Sequence, residues 1–167
     1  MKSILIFTIL CLPLYLSAQD NNQISTMRIG PYRLQMKGKE TEKLARKKMI
    51  EYTDYKKYNA VMHNGNEIRI NVSDDGEGDT YVIQLATVSP AFKTFSGIGV
   101  GNTRKELFDT YIHYPNFFVY ESYDENGNIV LGESYFNLED RESATILSFR
   151  LKDNVIVEVL ISYNLGC

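Results

Sequence analysis

GIGVGNTRKELFDTYIHYP, residues 97–115, is the stretch from which the fold is read. Thr103 and Glu106 stand at the spacing of a capping box, in which the threonine oxygen accepts from a free helix amide and the glutamate reaches back to the cap amide. A helix is therefore predicted from Arg104 to about His113, with Leu107, Phe108 and Tyr111 facing inward. Pro115 stops it. Downstream the apolar period shortens to that of strands. Phe117 to Tyr123 reads as one strand, Asp124-Glu125-Asn126-Gly127-Asn128 as a hairpin turn, and Ile129 to Phe136 as the return. Thr145 to Leu151 and Val155 to Tyr163 form a second hairpin around Lys152-Asp153-Asn154.

Upstream the same order is legible. IGPYRLQM, from Ile29 to Met36, is an extended lead-in to a helix predicted over Lys39 to Tyr52, with Leu44, Ala45, Lys48, Met49 and Tyr52 on one face. Tyr58 to Met62 is a strand, and Asn64-Gly65 gives a tight hairpin signal. Glu67 to Val72 follows, with Ile68, Ile70 and Val72 on one side, then Tyr81 to Val88. Helix followed by antiparallel strands thus occurs twice, about 65 residues apart. The expected fold class is α+β: two tandem units, each a short helical segment packed on an antiparallel β-meander, at 20–90 and 91–167 after a leader at 1–19.

GIGVGNTRKELFDTY (97–111), with the later hairpins ending in LSFRLKDNVIVEVLI (147–161), resembles the half-unit of BamE/SmpA-like and β-lactamase-inhibitor-protein-like families. The resemblance implies a tandem helix-plus-meander fold and an extracytoplasmic binding or scaffold module without catalysis. The chain differs from BamE-like proteins in lacking a lipobox, because Thr8-Ile9-Leu10 before Cys11 has no small residue next to the cysteine.

Residues 1–19, MKSILIFTILCLPLYLSAQ, have the pattern of a signal peptide: Lys2, an apolar run from Ile4 to Leu16, then Ser17-Ala18. The run is shorter than the roughly 20 residues of a spanning helix and contains Pro13, so export to the periplasm or medium is expected, with no stable membrane span. Removing this leader leaves 17 basic against 21 acidic residues, a net charge of −4. An acidic chain with a pI near 5.4 is a poor match for nucleic acid. Cys167 is the sole cysteine after cleavage, so no internal disulfide forms. It is either an inert end-of-strand residue or the link in a disulfide-bonded dimer.

No cofactor or metal motif is present in the sequence. His63 and His113 lack partners at metal-ligand spacing. The loop Asp74-Asp75-Gly76-Glu77-Gly78-Asp79 is rich in oxygen donors of the kind calcium takes, but it lacks EF-hand spacing and reads first as a solvated hairpin loop. Aromatic residues concentrate in YIHYPNFFVYESY (111–123). On a strand Phe118 and Tyr120 share one face, while Phe117, Val119 and Tyr123 take the other. The Phe118–Tyr120 face is expected to be the core; the other side is either buried by the partner unit, since aromatic side chains dominate cores too, or an exposed interaction surface. Candidate binding residues are Phe117, Tyr120, Tyr123 and Tyr135. The expected function is a non-catalytic binding or scaffold module of the bacterial cell envelope acting through a protein partner. An inhibitor or immunity protein blocking an enzyme is the alternative, and a hydrolase the third reading.

Overall fold

The computed structural model describes residues 22–54, 56–74 and 76–164. The signal segment, Asp75 of the acidic loop and Cys167 lie outside the described residues. Three two-residue strands open the chain, β1 (Gln23–Ile24), β2 (Arg28–Ile29) and β3 (Tyr32–Arg33), followed by the helix α1 (Gly38–Ala45). Next come β4 (Asn59–His63), β5 (Asn66–Asp74), β6 (Thr80–Thr87), the short β7 (Lys93–Thr94) and the helix α2 (Arg104–Tyr111). The long C-terminal strands are β8 (Phe117–Tyr123), β9 (Ile129–Asp140), β10 (Thr145–Lys152) and β11 (Val155–Tyr163).

Seven strands form a single sheet in the order β4-β5-β6-β11-β10-β9-β8, and β3-β2-β1-β7 make a small second one. The α+β expectation of two tandem helix-plus-meander units is overturned: the chain is mainly β, with 48 % strand and 12 % helix. The reason lies in one pairing. β6 and β11 join antiparallel through Thr87↔Val159, Ala86↔Leu160, Leu85↔Ile161 and Gln84↔Ser162. That seam fuses the strands of both halves into one sheet, and the parallel β1–β7 pair joins the halves again in the second layer. Apolar side chains from the large sheet (Ile68, Ile70, Leu85, Phe136, Phe149, Ile161) and from the covering segments (Ile29, Leu34, Phe92, Leu107) close one shared core.

Each helix has eight residues. α2 carries the capping box read from the sequence, with both reciprocal bonds formed. Leu107 is buried, Phe108 meets Phe136 edge-on at 4.9 Å, and Tyr111 stacks on Phe149 at 6.1 Å. α1 stops at Ala45, well short of the expected Tyr52, because Arg46 turns left-handed at φ 53°. Glu42 then gathers the chain beyond it, accepting from the Met49 amide at 3.0 Å and from Lys48 at 2.9 Å. Leu44, expected inward, is 45 % exposed. The buried face of α1 is Gly38 and Thr41, because the helix start lies against β6. A Cβ on Gly38 would sit 2.0 Å from the Thr80 hydroxyl, so only glycine permits that approach. The Asn64-Gly65 hairpin is formed with positive φ at both residues, and Asp153-Asn154 repeat the arrangement between β10 and β11.

Candidate functional site

The helices and the small sheet cover one face of the large sheet; the other is open at β8, while residues 56–58 lie over part of it, with Tyr58 against Arg69 and Lys56 bonded to Glu125 in the turn between β8 and β9. Paired residues on adjacent strands share a face, so the register maps that open side directly. Tyr120 pairs with Tyr135, Tyr135 with Arg150, and Arg150 with Glu158. Two kinds of chemistry therefore lie end to end across the strands.

The middle is charged. Arg150 bridges Glu133 at 3.3 Å and Glu158 at 3.0 Å, while Arg69 bridges Glu158 at 3.0 Å and Glu67 at 2.9 Å. Lys152 adds a further contact to Glu133 at 3.1 Å, and this bond, followed by the field of Arg150, holds the Glu133 carboxyl below its ordinary range. The Tyr58 ring lies 4.6 Å from the Arg69 guanidinium. Each charge is neutralised by a neighbour, so this stretch is a structural ladder.

The β8 end is aromatic. Phe118 and Tyr120 stack at 6.2 Å, and Tyr120 and Tyr135 at 5.1 Å, both tilted by only 20°. Phe118 is 42 % and Tyr120 46 % exposed, which reverses the expected assignment of the two strand faces. Phe117 is the ring that turns inward, stacked on core Phe136 at 5.3 Å. Alternation shows that β8 has two faces but not which one meets the core; Phe136, supplied by β9, decides it. Of the four candidate residues, Tyr120 and Tyr135 therefore stand together on the open face. Tyr135 is half-buried, and burial raises the phenol pKa of both. Phe117 belongs to the core side, and Tyr123 stands apart, 60 % exposed, beyond a register shift between Glu121 and Tyr123.

β8 is also an edge. The Glu139 amide donates to the Asn116 carbonyl at 2.8 Å, which marks Asn116 and Glu139 as a hydrogen-bonded pair. Antiparallel pairs alternate, so Phe118 and Tyr120 also bond inward to β9, and the backbone N–H and C=O groups of Phe117, Val119 and Glu121 point out of the sheet. The opposite edge is guarded: the 47–50 loop lies along β4, with Lys47 donating to the Ala60 carbonyl at 3.2 Å and the Asn59 amide bonding Ile50 in both directions. A lysine and a covering loop are common protections for a strand edge. No such cover bonds the outward groups of β8 among the described residues.

A cleft of about 970 Å³ opens at the other end of the sheet, between β5 and β11. Its lining comes from four distant segments: Gln35 and Lys37, Tyr52 and Thr53, the β5–β6 hairpin, and Ser162 with Tyr163. None of these forms a sequence motif, and the sequence reading did not find it.

The histidines stay apart. His63 lies 6.4 Å from the Phe92 ring, and His113 is exposed. Among the described residues no cluster of three potential metal ligands occurs. In the acidic loop Asp74 accepts from the Gly76 amide and Asp79 from the Thr80 amide, so these carboxylates shape the turn. Asp124 does the same for Asn126 and Asn128. No described helix is long and apolar enough to cross a membrane. Comparison with protein families, with curated proteins and with solved structures finds no match to this chain.

Proposed function

We propose that this chain is an exported, non-catalytic binding module of the bacterial cell envelope, and that its protein partner docks as an extended segment along β8. The observation that carries the reading is the unguarded edge. Phe117, Val119 and Glu121 offer a row of outward backbone donors and acceptors, and the exposed rings of Phe118 and Tyr120 lie beside it on the open face. Strand addition draws affinity from such main-chain groups and specificity from the alternating side chains next to them. The seven residues FFVYESY contain one charge and no proline, so little opposes an added strand. The aromatic row suits a partner strand with aliphatic or aromatic side chains on the open face, since tyrosine gives large contact area at low entropic cost. Export rests on the leader at 1–19, and places the partner in the periplasm or outside the cell.

The test is capture from envelope extract by the purified mature chain, compared with Val119→Pro, Tyr120→Ala and Met62→Ala. Proline at 119 removes an outward N–H and no bond to β9. Val119→Pro and Tyr120→Ala are expected to lose the captured protein while melting near the parent. Met62→Ala, on the guarded edge, is expected to keep it. Capture that ignores both β8 variants contradicts the reading.

A further inference from the structure

The cleft at the far end of the sheet exists because β6 changes partners. Its second half pairs with β11, but its first half leaves that strand and bonds instead to the segment before α1: the Gln35 amide donates to the Val82 carbonyl at 2.9 Å, and the Val82 amide to the Met36 carbonyl at 3.0 Å. A register shift at Asn71/Val72 on β5 lies at the same level. The sheet branches there, and the cleft fills the fork. With about 970 Å³ it is at the top of the range of ligand pockets, about 300–1,000 Å³.

We infer that this cleft binds a neutral, hydroxyl-rich ligand of the glycan class. Three tyrosine rings, Tyr52, Tyr81 and Tyr163, supply its broad apolar surface. Three amides, Gln35, Asn71 and Gln84, supply the polar points between them. An amide carries both donors and acceptors, as a sugar hydroxyl does, so each amide can bond a hydroxyl in either sense. Asn71 and Gln84 touch at 2.7 Å; with the Asn71 amide turned so that its Nδ2 donates to the Lys57 and Ile70 carbonyls, Asn71 is anchored to the backbone and holds the Gln84 amide in place. A pyranose ring matches the whole: its C–H face packs on an aromatic ring while its equatorial hydroxyls reach the amides.

The charges argue against the other ligand classes. The lining holds one cation, Lys37, and one anion, Asp79, which favours neither a phosphate nor a polycation. A purely apolar chain would strip water from the lining amides without replacing the hydrogen bonds it removes, which disfavours such a ligand. This site is separate from the β8 edge and stands or falls independently of it.

Isothermal titration of the mature chain with chitotriose, cellotriose and maltotriose, and with trigalacturonic acid as the charged comparator, tests the inference. Saturable binding of at least one neutral trisaccharide is expected, with a Kd below about 10 mM, weakened about tenfold or more in Gln84→Ala and in Tyr81→Ala. Gln84→Phe is a second variant that keeps the strand but blocks the cleft, and it is expected to abolish binding. Phe95→Ala, at an exposed ring outside the cleft lining, is expected to bind as the parent does. The inference is overturned if none of the neutral sugars saturates, if the acidic trimer binds more tightly than all of them, or if binding survives both Gln84 variants at parental strength.

Discussion

Arg69 on β5 reaches over β6 to put its Nη1 3.0 Å from the Glu158 Oε1 on β11, and the β6 residue paired with Arg69 is Ala86. A small side chain there leaves room for the guanidinium to cross. Glu158 also holds Arg150 at 3.0 Å, so one carboxylate ties strands from both halves of the chain across the seam that makes the sheet continuous.

Glu158→Gln should therefore cost more than an isolated surface ion pair. Networked, partly screened pairs contribute about 1 kcal/mol, and loss of this carboxylate is expected to lower stability by about that amount. Urea midpoints of the variant and parent measure it. Coincident midpoints would show that the ladder contributes nothing.

Phe117→Ala and Tyr120→Ala separate the two faces of β8. Phe117 packs on Phe136 but is half-buried, and truncating it should destabilise by about 2–4 kcal/mol, somewhat less than a fully buried phenylalanine. Tyr120 lies on the open side, and its truncation should stay within about 1 kcal/mol. Thermal melts of both variants check the order; the reverse order would put the open face on the wrong side.

Thr103→Ala removes the hydroxyl that accepts from the Glu106 amide at 3.2 Å. A lost N-cap costs about 1 kcal/mol, and a denaturant midpoint shifted by that amount is expected. An unshifted midpoint would show that the cap is dispensable.

Acid should weaken the fold. The carboxyls of Glu42, Glu106, Asp124, Glu133 and Asp140 are held below their ordinary values; the largest cause is the Met49 amide for Glu42, the Thr103 amide for Glu106, the Asn128 amide for Asp124, Lys152 for Glu133 and Ser143 for Asp140. A carboxyl with a folded pKa below its unfolded one contributes stability that is full above the unfolded value and is lost as pH falls through the folded value. Stability is expected to be level above pH 5 or so and to decline from the ordinary carboxyl range, 4.5 for Glu and 3.8 for Asp, downward. Urea midpoints between about pH 7 and pH 3 follow it, and a flat profile contradicts the assignments.

Local chemistry was the legible part of this sequence. Asn64-Gly65, Asp153-Asn154 and the Thr103/Glu106 cap each act within a few residues, and each is formed as the residues demand. Helix α1 is shorter than its sequence pattern implies because Leu44, Met49 and Tyr52 keep helical spacing past Arg46, where the backbone turns left-handed and the Glu42 carboxylate takes the Met49 amide. The β6–β11 seam brings together Leu85 and Ile161, residues far apart in the chain, and nothing local in either strand announces the other. Without that pairing the repeated order of elements reads as two units. For the same reason Tyr120 and Tyr135 were legible as candidates from their aromatic strands, but their side of the sheet depended on where Phe136 went, and the cleft depended on four segments meeting.

Residue-by-residue amide hydrogen exchange along β8, followed by NMR on the free mature chain, tests the open edge most directly. The Phe118 and Tyr120 amides, bonded to β9, should be protected, while those of Phe117, Val119 and Glu121 should exchange rapidly and become protected when the partner binds. A Val119 amide already as protected as its neighbours in the free chain would contradict the account, because the edge offered to a partner would be occupied.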